Sequence, residues 1–188
     1  MIADYTVILD SCVLLPMLLV DTLLRLAETP RLYVPKWTEE IMQEVSRNLH
    51  EKWNKTPEQI ANRSNNMRTA FPDAWVSGYE SLTACMTNDP KDRHVLAAAV
   101  RCGAELIVTY NRKHFPAVSL EFFNLEVQGP STFLRNLYDL HEGIVSRKLN
   151  EQAAEAGLSL TALLRRLHAN VPDFVSFFCQ EQNISLNP

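Results

Sequence analysis

Apolar and polar positions along this chain follow two periods, one suited to buried strands and one to helices. Residues Tyr5–Leu9 end in an apolar Val-Ile-Leu run, as expected of a first strand covered on both faces. A helix is predicted from about Pro16, a favourable first-turn residue, to Ala27, with leucines at helical spacing. Leu32–Val34 reads as a short second strand closed by Pro35. Thr38 then caps a helix whose apolar stripe is Ile41, Val45 and Leu49, with Glu39 and Glu40 at the positive end of its dipole. Ile41 holds the third helical position, so no capping box is expected there. Thr56-Pro57-Glu58-Gln59 does predict one, opening a helix that runs towards Ala70.

The stretch Asp73–Met86 is ambiguous, with room for a short strand at Trp75–Val76 and a short helix after Gly78. Asp89-Pro90-Lys91-Asp92 opens a helix continuing as HVLAAAVRCG, with Asp89 as its cap and glycine as its terminator. Glu105–Thr109 is another buried strand; a short helix around Pro116–Phe123 and a weak strand at Leu125–Val127 follow. This alternation predicts an α/β fold with a mostly parallel sheet covered on both faces. After Gly129-Pro130 the pattern is helical to the end, with breaks expected at Gly143, Gly157 and Pro172. The expected division is residues 1–128 as an α/β domain and 129–188 as an all-helical C-terminal extension.

Composition narrows the function. A 46% hydrophobic and 21% charged chain of 188 residues is an ordinary folded protein. Its net charge of −4 excludes coating nucleic acid through bulk positive charge, but allows an acidic pocket rimmed by a few cations. No apolar stretch reaches the roughly 18 residues that span a bilayer; Cys12–Val20 is too short and contains Pro16. With no positive segment leading into an apolar one, the expected location is cytoplasmic, with no membrane contact. Cys12, Cys85, Cys102 and Cys179 form no C-x-x-C pair, so neither a zinc site nor a disulfide framework is expected. Each is expected to act as a small buried apolar residue.

The candidate chemistry lies at the edges of elements. Asp10 ends the VILD run, Glu44 lies inside WTEEIMQEV, Asp92 inside NDPKDRHVLAAA, and Asn111 ends IVTYN. In an open parallel sheet, ligands bind beyond the carboxyl ends of the strands. Carboxylates gathered there are costly to desolvate unless a cation meets them, and oxygen ligands select Mg²⁺ or Mn²⁺. Asp10 would be central, Glu44 and Asp92 would project from helices, and Asn111 would supply a neutral amide oxygen or orient a water. Each has a plain structural alternative: a turn aspartate, a solvated helix glutamate, a first-turn acid complementing the dipole, a left-handed loop asparagine. Their joint placement carries the argument.

Lys91, Arg93 and His94 adjoin Asp92, while Arg112, Lys113 and His114 follow Asn111; such cations suit phosphate contacts, and solvated faces are their alternative. Thr109 could hydrogen-bond a ligand water. Of Trp37, Trp53, Trp75 and Tyr110, Tyr110 is the best placed to stack on an unpaired base.

The segments VILDSCVLLP, WTEEIMQEVSRNL, DPKDRHVLAAAV and IVTYNRKHFP resemble the PIN domain family of metal-dependent ribonucleases, in the family's order and over roughly residues 1–128. Within it the chain looks most like the VapC-like toxins of type II toxin–antitoxin systems, and the segment after Gly129 resembles an extension found in one subgroup. The resemblance implies a three-layer α/β/α sandwich, Mg²⁺ or Mn²⁺ in an acidic pocket, and endonucleolytic RNA cleavage, with transfer RNA as a family-level substrate. It also implies a cognate antitoxin whose tail blocks the pocket, and self-association into a homodimer. Asp10, Glu44 and Asp92 match the family's three acids. Asn111 stands where many relatives have a fourth, which puts a second metal ion in doubt. Two other readings stand beside this one. A PIN-like interaction module without activity is kept open by Asn111. A haloacid-dehalogenase-like phosphatase would want an acid at position 12, where this chain has cysteine.

Overall fold

Short apolar runs that cannot be left in water, separated by amphipathic helices, dictate a layered arrangement. The computed structural model describes residues 5–186. Its strands are β1 (Thr6–Leu9), β2 (Val34–Thr38), β3 (Trp75–Val76), β4 (Leu106–Val108) and β5 (Glu126–Gln128). Every pairing is parallel, in the order β3-β2-β1-β4-β5. The helices are α1 (Ser11–Leu14), α2 (Met17–Ala27), α3 (Glu39–Glu51), α4 (Pro57–Ala70), α5 (Glu80–Thr83), α6 (Arg93–Cys102), α7 (Ala117–Leu120), α8 (Pro130–Glu155), α9 (Leu160–Leu167) and α10 (Pro172–Glu181). The fold is the expected α/β/α sandwich on a parallel sheet, followed by helices.

Strand order places the site. The chain steps from β1 outwards to β2 and β3, then returns across the sheet to β4 and β5. That reversal makes a crevice beyond the carboxyl ends of β1 and β4. Right-handed crossovers put α2 on one face and α6 on the other. Both central strands are therefore covered on two sides: Val7, Ile8, Leu9, Leu106, Ile107 and Val108 are fully buried. Caps fix where the helices start. Thr38 Oγ1 accepts from Ile41 N at 3.0 Å, and Thr56 and Gln59 form the expected capping box.

Three sequence expectations need correction. The second strand runs Val34–Thr38 and contains Pro35, rather than ending before it. Val34 N donates to Tyr5 O at 2.8 Å, so the next residue, Pro35, turns its nitrogen away from β1. On that side β3 pairs only with Trp37 and Thr38, and the missing donor costs nothing. The break expected at Gly143 falls two residues earlier, at His141, whose angles (φ −147°, ψ 52°) kink α8 into two helical segments. Asp89 caps a single 3-10 turn, Pro90–Asp92, before α6 begins at Arg93.

The C-terminal helices pack on α2. Gln152 is buried and its Nε2 donates to Leu18 O at 3.0 Å, while Thr22 Oγ1 donates to Gln152 Oε1 at 2.8 Å. At the rim, Arg25 bridges Asp21 at 3.0 Å and Glu155 at 2.7 Å. Leu163, Leu164 and Leu167 turn the apolar face of α9 inwards, and Phe133 meets Tyr33 edge-on at 5.0 Å. The buried apolar cluster includes residues from both sides of position 128. Among the described residues, no helix is long and apolar enough to cross a membrane.

Candidate active site

Asp10 leaves the carboxyl end of β1 and caps α1, so its backbone ties it to both elements. Its N–H donates to Val108 O of β4 at 3.1 Å, and its Oδ1 accepts from Ser11 N at 2.6 Å. The residue is 2% exposed. Oδ2 accepts from the Thr109 hydroxyl at 2.6 Å and lies 3.3 Å from Cys12 Sγ. Thr109 is fully buried at the end of β4, and its oxygen also accepts from Asn111 N at 2.9 Å. One hydroxyl thus joins the two residues expected to matter on the two central strands. A buried carboxylate with this many donors is held in a single orientation.

The other two acids approach from the flanking helices. Burial, then the charges of Asp10 and Glu44, raise the Asp92 pKa above the usual carboxylate range, although His114 beside it works the other way. His114 Nδ1 lies 2.5 Å from Asp92 Oδ2. Burial also pushes Glu44 upwards, but His94 and the Ser11 hydroxyl outweigh it and leave its pKa lowered. His94 Nε2 is 3.3 Å from Glu44 Oε1, and Nδ1 is 3.7 Å from Glu40 Oε2. Neither contact has hydrogen-bond geometry, and the ring is 5% exposed. Burial lowers the His94 pKa, but Glu44, Glu40 and Asp10 together raise it. Asp92 therefore lies in the field of Asp10 and Glu44, beside the crevice where strand order reverses.

The remaining expectations divide. Asn111 begins a 3-10 turn (Arg112–His114), with its backbone oxygen accepting from His114 N at 2.9 Å. Arg112 and Lys113 are exposed beside it, whereas Arg93 is half-buried and donates from Nε to Asn88 O at 3.3 Å. Trp37 is buried against Phe71 and Trp75, and Arg68 lies 3.7 Å over the Trp75 ring. Tyr110 is 43% exposed. Cysteine behaved less uniformly than expected: Cys85 is exposed, and Cys12 is a polar member of the site. Cys12 Sγ lies 3.3 Å from Thr109 Oγ1 and accepts from Tyr110 N at 3.3 Å. Burial and the Asp10 charge push its thiol up to about 12, so it stays a neutral S–H. Its signal in the sequence was its position, two residues after Asp10 in the turn Asp10 caps.

The donor set suits a hard divalent cation, three carboxylates whose mutual repulsion an ion would relieve. Among the described residues, no three His, Cys, Asp or Glu side chains are gathered closely enough to hold one ion between them as they stand. Each carboxylate faces a protein partner: Thr109 for Asp10, His94 for Glu44, His114 for Asp92. Loading would require the two imidazoles to yield and water to complete the shell, which Mg²⁺ retains readily.

Comparison with known proteins supplies independent findings. A family model described as "PIN domain" matches residues 6–113, more than half of the chain. The chain is similar to a Mycobacterium tuberculosis (strain ATCC 25618 / H37Rv) protein named "Putative ribonuclease VapC50", with 42% identity over 90 residues. That alignment covers 48% of this chain and 53% of the relative, so the chain spans about half the length of the curated relative it matches. No solved structure matches the chain.

Proposed function

We propose that this chain, which belongs to the PIN domain family, is a divalent-metal-dependent endoribonuclease and the toxin of a toxin–antitoxin pair acting in the cytoplasm. The observation that carries the reading is a buried Asp10 at the carboxyl end of β1, held by Thr109 of the neighbouring strand, with Asp92 near enough for burial and the charges of Asp10 and Glu44 to raise its pKa. The name of the mycobacterial relative supports ribonuclease activity. Asp10, Glu44 and Asp92 would hold Mg²⁺ or Mn²⁺. What such an ion supplies when bound is an acidified water and neutralisation of the scissile phosphate.

The chain's own residues do the rest. Thr109 and the Ser11 amide hold the Asp10 carboxylate in one orientation before any substrate arrives. Asn111, uncharged, orients a water or the phosphate through its amide. Exposed Arg112 and Lys113 hold flanking phosphates, and Arg93 supports the Asp92 turn through Asn88 as much as it meets substrate. Transfer RNA is the proposed substrate class. An antitoxin segment bringing a cation to the acids would inhibit by charge complementarity, and a homodimer is the proposed assembly. We also keep the division at 128/129 as a proposal, with the C-terminal helices an extension packed on the first unit and not a separate folding unit.

The test is cleavage of RNA with Mn²⁺, with and without chelator, by the parent and by Asp10→Asn and Asp92→Asn. Parent activity that vanishes with chelator and in both folded variants supports the reading; equal cleavage by the variants removes it. Asn111 favours a second reading, a PIN-like module acting by binding alone. That reading gains if the folded parent cleaves no RNA under any divalent ion. Release of phosphate from small phosphoesters without RNA cleavage would instead favour a phosphatase.

A further inference from the structure

We propose that Tyr110 is a stacking platform for an unpaired base next to the scissile phosphate, and that the RNA strand then runs on to Arg166 of α9. The C-terminal helices thus form part of the RNA path. This rests on the nuclease reading above.

Tyr110 sits between Thr109, which holds Asp10, and Asn111. Both of its ends are anchored. Its N–H donates to Cys12 Sγ at 3.3 Å, and its hydroxyl donates to Asn170 O at 2.8 Å, in the turn after α9. Between these anchors the residue remains 43% exposed. An exposed aromatic fixed at both ends loses little freedom when a ligand covers it. Every base offers a π-face, so such a ring favours single strands over duplexes without demanding a sequence. Of the other candidate aromatics, Trp37 is buried and Trp75 is covered by Arg68.

The cations on either side give the strand a direction. Arg112 and Lys113 are exposed immediately after Asn111. Across the Tyr110–Asn170 contact, Arg166 is exposed one helical turn before Asn170, and among the described residues it forms no ion pair. Its chain neighbour is committed elsewhere: Arg165 Nε donates to Leu186 O at 3.0 Å. On a chain of net charge −4 with acids at the site, a phosphate backbone depends on such local cations.

The experiment measures kcat and KM of the full-length, Mn²⁺-loaded protein on a single-stranded RNA and on a hairpin whose bases are paired. The variants are Tyr110→Leu, Tyr110→Phe, Tyr110→Trp and Arg166→Ala. Tyr110→Leu is expected to raise KM for the single strand about tenfold, the worth of one stacked base, with kcat near the parent's. Tyr110→Phe keeps the ring and should lose less; Tyr110→Trp should restore KM. Arg166→Ala should reduce the slope of log affinity against log salt by about 0.7, one phosphate contact on a single strand. An unchanged KM in folded Tyr110→Leu overturns the platform, even if that variant loses a protein partner instead. A fall in kcat at constant KM also overturns it, since the residue would then only position Asn111. Should Tyr110→Leu fail to fold, a Tyr110→Phe that loses as much as total RNA binding overturns it equally. An unchanged salt slope in Arg166→Ala overturns the path over α9. A parent that cleaves no RNA overturns the nuclease reading itself, and is distinguishable from all of these.

Discussion

Replacing Thr109 with valine keeps the volume and shape of a fully buried side chain and deletes one hydroxyl. That hydroxyl donates to the Asp10 carboxylate at 2.6 Å and accepts from Asn111 N at 2.9 Å. A hydrogen bond to a buried charge contributes about 1.5–3 kcal/mol, and an amide left without its acceptor costs on the order of 1 kcal/mol more. Asn111 is only half-buried, so water can repair part of the second loss. The expected destabilisation is therefore about 2–4 kcal/mol. For a chain of this size that lowers Tm by roughly 4–16 °C. Urea unfolding followed by circular dichroism, in chelator, measures it directly: the midpoint should fall while the slope stays constant. Thr109→Ser, which keeps the oxygen, should lose much less. In an Asp10→Asn background the valine should cost less than in the parent, with a coupling of about 1–2 kcal/mol. A Thr109→Val protein within about 0.5 kcal/mol of the parent would refute the idea that this hydroxyl organises the site.

Other consequences follow from the same contacts. Asp92→Asn removes a charge that burial, Asp10 and Glu44 all disfavour, so the metal-free variant should melt no lower than the parent while losing RNA cleavage; calorimetry and a gel assay read the two properties separately. Gln152→Ala strips the buried amide that joins α8 to Leu18 and Thr22 of α2, and should cost about 2–4 kcal/mol in urea unfolding. A chain ending at Gln128 exposes the face of α2 that α8 and α9 cover, and should lose its cooperative melt and its monodisperse elution; a truncated protein that stays folded would instead support a division at 128/129 into independent units.

Much of this was legible in the residues because local rules and global fold agree. The β1 and β4 runs are apolar throughout, as strands covered on both faces must be, and the order of strands and helices then leaves few topologies. Thr38 and Thr56 mark their helix starts by chemistry that needs no tertiary context. Pro35 misled because the cost of its missing N–H depends on which neighbour lies opposite, a property of the sheet and not of the strand. Glycine's low helix propensity at Gly143 marked the break in α8 to within two residues, and the kink itself lies at His141. Asp10, Glu44 and Asp92 could be picked out by position, but their partners could not. Cys12 looked like an apolar filler, and only the meeting of β1 with β4 places it against Asp10 and Thr109. The His114–Asp92 contact likewise depends on a loop that no periodicity encodes.

Titration calorimetry of the full chain with Mn²⁺, beside its Asp10→Asn variant, asks most directly whether the acids at the switch point form one cation site. Saturable binding by the parent and none by the folded variant is the predicted outcome. Equal heats from both proteins, or no binding by the parent even with RNA present, would contradict it.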